Sequence, residues 1–152
     1  MIYKEQAVIF DADGVLLNTS YIFEEIFKLK LKGDEKWDYF KKHCNSERTQ
    51  AFRDILDLWF ALSGRFKVFV STARNEKCKE ETLAKLQRSY FFIPNENLLM
   101  RKDGDYRESQ EVKKDHLLQI MKDYDIIAFI DDDLKNCEMA RDLGVLALRK
   151  VT

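Results

Sequence analysis

Two carboxylates spaced i, i+2 close the run Val8-Ile9-Phe10-Asp11-Ala12-Asp13-Gly14. An apolar run of that length reads as a buried strand, and its end delivers Asp11 and Asp13 into a polar crevice. Carboxylates so close repel one another, so keeping both ionised at neutral pH calls for a cation beside them. Magnesium is the natural candidate, because it takes hard oxygen ligands, keeps several waters and leaves room for a substrate phosphate. D-x-D-G also opens calcium loops, but Val15-Leu16-Leu17 stand where further oxygen ligands would be needed. Gly14 lets the chain leave the strand in a conformation that a side chain would forbid.

Two later runs end in groups of related chemistry. Val68-Phe69-Val70-Ser71-Thr72-Ala73-Arg74 delivers two hydroxyls and a guanidinium, and Ala128-Phe129-Ile130-Asp131-Asp132-Asp133 delivers a second acidic cluster. Each has a structural reading as well: Thr72 could cap the next helix, Arg74 could pair with Glu76, and Asp133 suits the cap of a helix starting at Leu134, the role preferred for it. Convergence raises the set above those readings. In one parallel sheet the carboxyl ends of the strands point the same way, and ligands bind in the crevice there. Asp11, Asp13, Thr72, Arg74, Asp131 and Asp132 would then share one edge.

The elements needed for this are legible in the pattern. Short apolar runs at 7–10, 67–71, 98–100, 126–130 and 145–148 alternate with helical patterns, which predicts an α/β fold of three layers, with a doubly wound, Rossmann-like parallel sheet of about five strands. Helices are expected from about Tyr21 to Leu31, with Phe23, Ile26, Phe27 and Leu31 inward, and around Trp37 to His43. After a Ser46 cap, Phe52, Ile55, Leu56, Trp59, Phe60 and Leu62 mark one face of another. Later helices fall near 76–89, 110–123 and 135–143, the last stopped by Gly144. Residues 1–152 read as one domain, with a small helical insertion over about 18–66.

Composition agrees with an ordinary globular protein: 152 residues, 45% apolar, 35% charged and a net charge of −1. Such a balance gives no global basic field to recruit nucleic acid. Cys44, Cys78 and Cys137 are odd in number and lack a C-x-x-C spacing, so neither a disulfide framework nor a zinc site is expected. No apolar run is long enough for a membrane span, and Met-Ile-Tyr-Lys-Glu-Gln is no signal core. A cytoplasmic location is the expectation.

With Asp11-Ala12-Asp13-Gly14-Val15, Thr72 after its strand, Lys113 in Gln110-Glu111-Val112-Lys113-Lys114, and Ile130-Asp131-Asp132, nearly the whole chain resembles the haloacid dehalogenase superfamily of aspartate-nucleophile phosphotransferases. Within it, Thr72-Ala73-Arg74, Leu98-Leu99-Met100-Arg101 and Gly104-Asp105-Tyr106-Arg107 are most similar to the 3′-phosphatase domains of phage-type polynucleotide kinase–phosphatases. The sequence departs from that pattern at Ser109, where the family often has an acidic residue four before the lysine. No G-x-x-x-x-G-K-[ST] loop occurs, so a kinase half is not in this sequence.

The resemblance implies a phosphomonoester hydrolase. Asp11 would be the nucleophile and Asp13 the general acid and base. Mg²⁺ would be held by Asp11, the main-chain carbonyl of Asp13 and Asp131, with Asp132 orienting a metal-bound water. Thr72, Ala73 and Lys113 would bind the phosphoryl group, Arg74 would be a second clamp, and Lys113 is preferred to Lys114 as the motif lysine. The expected substrate is a nucleic-acid 3′ end or a nucleotide, with Arg101, Lys102 and Arg107 placed to meet a phosphodiester. The basic residues of 28–53 read as a solvated face, since acidic residues alternate with them. A phosphatase of small metabolites is the alternative, and a phospho-receiver or binding domain a remote one. The required chemistry leaves His43 at a helix end and His116 on a helix surface. Oligomeric state is not readable.

Overall fold

The computed structural model describes residues 3–151. In chain order the elements are β1 (Glu5–Phe10), β2 (Leu17–Asn18), α1 (Ser20–Lys28), α2 (Gly33–His43), β3 (Gln50–Ala51) and α3 (Arg53–Ser63). The alternation continues with β4 (Lys67–Asn75), α4 (Lys79–Arg88), β5 (Leu98–Arg101), α5 (Ser109–Met121), β6 (Tyr124–Asp131), α6 (Leu134–Asp142) and β7 (Ala147–Arg149).

Five strands form a parallel sheet in the order β5-β4-β1-β6-β7. Ala7, Val8, Ile9 and Phe10 are all buried, because side chains alternate between faces and both faces are covered. Val8 and Phe10 join Trp59, Leu86 and Phe91 on one side, while Ala7 and Ile9 join Leu117, Ile120 and Met139 on the other. These three layers are the expected doubly wound α/β architecture. Numbered along the chain, the sheet order is 3-2-1-4-5, whereas a receiver domain has 2-1-3-4-5, so the receiver alternative is excluded. Chain direction reverses its progress across the sheet at β1, which puts the ligand crevice outside the carboxyl ends of β1 and β6. Among the described residues no helix is long and apolar enough to cross a membrane.

Several boundaries differ from the sequence reading for local reasons. β4 continues past Ser71 to Asn75, with its ladder to β5 interrupted between those residues, so Thr72 and Arg74 lie within the strand. The helix expected after a Ser46 cap starts only at Arg53, because residues 50–51 pair antiparallel with β2 and the Phe52 amide donates to the Leu16 carbonyl. Ser46 instead sits in the turn after α2, with its hydroxyl 3.0 Å from the Tyr21 hydroxyl. α3 faces the main core through Ile55 and Trp59, and Phe60 points to solvent. At the C-terminal end Gly144, at φ +80°, stops α6 as expected, and the Val145 amide reaches back to the Ala140 carbonyl. β7 therefore begins at Ala147.

α1 and α2 form a hairpin with a separate small core of Ile22, Ile26, Phe40 and Cys44. The expected apolar face of α1 is shifted: Ile22 and Ile26 are buried, while Phe23 and Phe27 are exposed. α1 packs mainly on α2, and a single neighbouring helix covers only a narrow stripe of its surface.

Candidate active site

β1 and β6 end side by side, and the Asp11 amide donates to the Ile130 carbonyl at 2.9 Å. That bond places Asp11 next to Asp131, the last residue of β6. Between their carboxylates stands Lys113 from α5, with Nζ 2.8 Å from Asp11 Oδ1 and 2.6 Å from Asp131 Oδ2. Lys113 is 2% exposed, whereas Lys114 faces solvent. Oxygens of Asp11, Asp131 and Asp132 lie within 4.8 Å of one another. Gly14 adopts φ +81°, and a Cβ there would overlap the Asp132 carboxylate, so glycine is required for close approach as well as for the turn.

One ammonium thus faces three carboxylates. Burial first, and then the charge of Asp131, push the Asp11 carboxyl well above its ordinary range. Burial likewise raises Asp132, with Asp131 adding to it. For Lys113 burial acts downward, but the Asp11 and Asp131 carboxylates outweigh it and hold the ammonium above its ordinary value. The excess of acidic oxygen over cationic nitrogen, with oxygen donors alone in this cluster of the described residues, fits a hard divalent cation.

Supporting contacts set the orientation of these ligand groups. Asp131 Oδ1 accepts from the Asp133 amide at 2.9 Å, and both Asp131 oxygens accept from Asn136 Nδ2 at 3.2 Å. Asp133 caps α6 as expected, accepting from the Lys135 and Asn136 amides. Arg149 Nε donates to the Asp132 carbonyl at 3.0 Å. Ser109, at the position where an acidic residue is common, accepts from Asn136 Nδ2 at 3.3 Å. Asn136 Oδ1 is buried without a partner among the described residues. Sequence reasoning did not single out Asn136; its signal is a polar residue beside Cys137 and Ala140 on the buried stripe of α6.

Asp13, Thr72 and Arg74 form the other half of the site. Arg74 Nε and Nη2 donate to the two Asp13 oxygens at 2.9 and 2.6 Å. Its remaining N–H groups reach Asn45 Oδ1 at 2.7 Å, Thr82 Oγ1 at 3.2 Å and the Cys44 carbonyl at 3.5 Å. A guanidinium has five N–H donors, and all face protein acceptors, so Arg74 pairs with Asp13 rather than with Glu76. Burial pulls the Arg74 guanidinium down, but the Asp13 carboxylate more than compensates. Thr72 is buried and its Oγ1 accepts from the Arg74 amide at 3.2 Å. The neighbouring Ala73 carbonyl accepts from Arg101 Nε at 3.0 Å.

Two of the expected phosphodiester contacts are likewise engaged elsewhere. Arg101 also donates to the Asp105 and Arg107 carbonyls, and Arg107 joins Asp105 to Asp115. Both arginines brace the loop from β5 to α5. His116, expected on the surface, is buried: Nδ1 is 2.8 Å from Ser71 Oγ and Nε2 is 3.1 Å from the Met100 carbonyl. It shares a helix face with Lys113 at i, i+3, a signal present in the sequence. His43 sits half-buried at the end of α2 as expected.

The family described as "Polynucleotide kinase PNKP phosphatase domain" matches residues 5–150. This chain belongs to that family. It is a phosphatase domain of haloacid dehalogenase type. A chain in the solved "Structure of the Pnkp1/Rnl/Hen1 RNA repair complex" is 19% identical, with a TM-score of 0.74 over 97% of this domain and 42% of that chain. The haloacid dehalogenase-like hydrolase from Streptococcus pneumoniae gives 18% and 0.66, over 97% of the domain and 84% of that protein. The tungstate-bound class C acid phosphatase from Bacillus anthracis gives 17% and 0.72, over 94% and 63%. At these identities the likeness concerns the fold. The domain spans less than half the length of the repair-complex chains it matches, at 42% and 46%. A search of curated proteins by sequence gave no match.

Proposed function

We propose that this domain hydrolyses phosphomonoesters with the help of Mg²⁺ and through an aspartyl-phosphate, and that its substrate is the 3′-phosphate of a nucleic acid or nucleotide. The observation that carries the chemistry is the Asp11 carboxylate at the end of β1, joined through Lys113 to Asp131 and next to Asp132. Asp11, the Asp13 carbonyl and Asp131 would hold the cation, with Asp132 orienting its water. When bound, Mg²⁺ supplies positive charge to the phosphoryl oxygens and offsets the crowded carboxylates.

The chain's own groups account for the bond changes. An Asp11 oxygen attacks phosphorus as the bond to the leaving oxygen breaks, and Asp13 gives that oxygen a proton, releasing an alcohol. Asp13 then takes a proton from water, whose oxygen attacks the same phosphorus. Inorganic phosphate leaves and Asp11 is regenerated. Lys113 and Thr72, with the Ala73 amide, hold phosphoryl oxygens during both steps. Arg74, which donates to both Asp13 oxygens, would fix the orientation of that carboxyl, and the acid step requires Asp13 in its protonated form.

Family membership favours a polynucleotide end over a metabolite. So does the insertion: α3 belongs to the main core, which leaves only the α1–α2 hairpin to cover the crevice. A phosphate-release panel with Mg²⁺ or EDTA tests the reading, comparing a 3′-phosphorylated oligonucleotide, 3′- and 5′-mononucleotides and sugar phosphates. The 3′-phosphates are expected to turn over fastest, and only with Mg²⁺. If sugar phosphates turned over far faster than any nucleotide, the small-metabolite alternative would replace this substrate class.

A further inference from the structure

His116 is a buried polar side chain that the proposed bond changes do not use, lying on the inner face of α5 with Val112, Lys113, Leu117 and Ile120. It follows Lys113 at i, i+3, so the two side chains are neighbours on that face. Lys113 reaches the ends of β1 and β6 through Asp11 and Asp131. His116 reaches the two strands on the other side of β1: Nδ1 is 2.8 Å from Ser71 Oγ of β4, and Nε2 is 3.1 Å from the Met100 carbonyl of β5. One helix face is thus tied to four adjacent strands. The partners also fix the state of the ring. A carbonyl only accepts, so Nε2 carries the proton and donates to Met100, which leaves Nδ1 to accept from the Ser71 hydroxyl. Burial lowers the pKa of His116 to about 4, so the ring keeps that lone pair at neutral pH.

The ring stands where the sheet changes register. Ser71 pairs with Leu99, the ladder is then interrupted, and pairing resumes between Asn75 and Arg101. Thr72, Ala73 and Arg74 therefore bulge opposite Met100, without the regular ladder that fixes the earlier part of β4. In the proposed chemistry this bulge holds phosphoryl oxygens, through Thr72 and the Ala73 amide. Further along it, Arg101 Nε holds the Ala73 carbonyl at 3.0 Å. At its start, His116 holds Ser71. Side chains alternate along a strand, and Phe69, two residues before Ser71, packs with Leu117 of α5. The grip on Ser71 thus comes from the same helix that carries Lys113 to the other side of the site.

We infer that His116 is a positioning residue for phosphoryl transfer: acting through Ser71, it sets the Thr72-Ala73 bulge at a fixed distance from Lys113, so that both hold one phosphoryl group. The inference rests on the roles proposed for Thr72, the Ala73 amide and Lys113, and adds the residue that keeps them in register. Groups that stabilise developing charge act only when they are already in place, so a shift of the bulge relative to Lys113 weakens the transition state more than the bound substrate.

The test is steady-state hydrolysis of p-nitrophenyl phosphate with Mg²⁺, a substrate that needs no subsite for a leaving nucleoside, with each variant assayed well below its melting temperature. His116→Leu removes both contacts of the ring, and Ser71→Ala removes only the hydroxyl. Each is expected to lower kcat by about 10- to 100-fold, the scale of a misplacement of up to about 1 Å, with KM changed much less. The double variant should lose no more than His116→Leu alone, because the two residues form one link. His116→Asn, whose Oδ1 can stand in for Nδ1, should recover most of the loss, and His116→Gln, which keeps a donor for Met100, should recover little. Wild-type kcat in both single variants, even with a lowered melting temperature, would make His116 a packing residue and overturn the inference. So would additive losses in the double variant, or recovery by His116→Gln and not by His116→Asn. If the wild type hydrolyses no phosphomonoester, the proposed chemistry itself has failed, and the positioning role with it.

Discussion

Lys113 contacts both Asp11 and Asp131 at salt-bridge distance, yet supplies a single positive charge to a cluster of three carboxylates. Replacing one of these carboxylates by its amide relieves repulsion while preserving shape. Asp11→Asn should therefore lose turnover by about 10⁴-fold or more, as nucleophile removal does elsewhere, with an unchanged or raised melting temperature. Substantial residual phosphate release would remove Asp11 as nucleophile. His116 gives a second residue-scale prediction. Burial lowers its pKa from 6.5 to about 4, so the folded protein keeps it neutral where the unfolded chain protonates it. Its contribution is complete above pH 6.5 and is lost as pH falls toward 4, amounting to about 3 kcal/mol at the acid end. Denaturant titrations across that window should show a shallower decline in stability for His116→Gln than for the wild type. Parallel declines would mean that His116 does not carry this pH dependence.

At the scale of elements, α3 shows how one helix of the insertion supports the strand that ends in Asp11. Trp59 is buried between Phe10 at 5.2 Å and Phe91 at 5.1 Å, and Phe10 is the residue immediately before Asp11. Trp59→Ala should cost about 3–5 kcal/mol of stability through the cavity it opens. Chemical denaturation would check this, a loss below about 1 kcal/mol showing that α3 is peripheral. The inward Ile55 and Trp59 of α3 were legible from spacing, though not the outward Phe60, and so were the five strands of the parallel sheet and the Asp133 cap. Its starting point was not, because the β2–β3 ribbon competes for residues 50–51 through a partner more than thirty residues away. The same limit explains α1: periodicity identified an amphipathic helix, but which of Ile22, Phe23, Ile26 and Phe27 face inward depends on how far α2 reaches round it.

For the whole molecule, the acidic cluster would couple stability to a bound cation. Folding brings Asp11 against the Asp131–Asp132 pair, from which it is far apart in the unfolded chain, so a cation that binds all three stabilises the fold. At a Mg²⁺ concentration about 100 times its dissociation constant, the gain should be about 2.7 kcal/mol. Thermal unfolding with and without Mg²⁺ measures it, and Asp131→Asn should abolish most of the shift. An equal shift in that variant would place the stabilising ion elsewhere.

The convergence of the candidate site was determined by sequence alone, because Asp11, Asp13, Thr72, Asp131 and Asp132 follow apolar runs whose carboxyl ends must converge in a parallel sheet. Lys113 was legible only as a resemblance, and the choice over Lys114 required the rotation of α5 about its axis. Tertiary structure alone decided that Arg74 is spent on Asp13, that Arg101 and Arg107 brace a loop, and that His116 and Asn136 lie inside. Each of those outcomes depends on which acceptors stand within hydrogen-bond reach of a long or buried polar side chain. Those acceptors come from residues distant along the chain, so spacing within a motif carries no record of them.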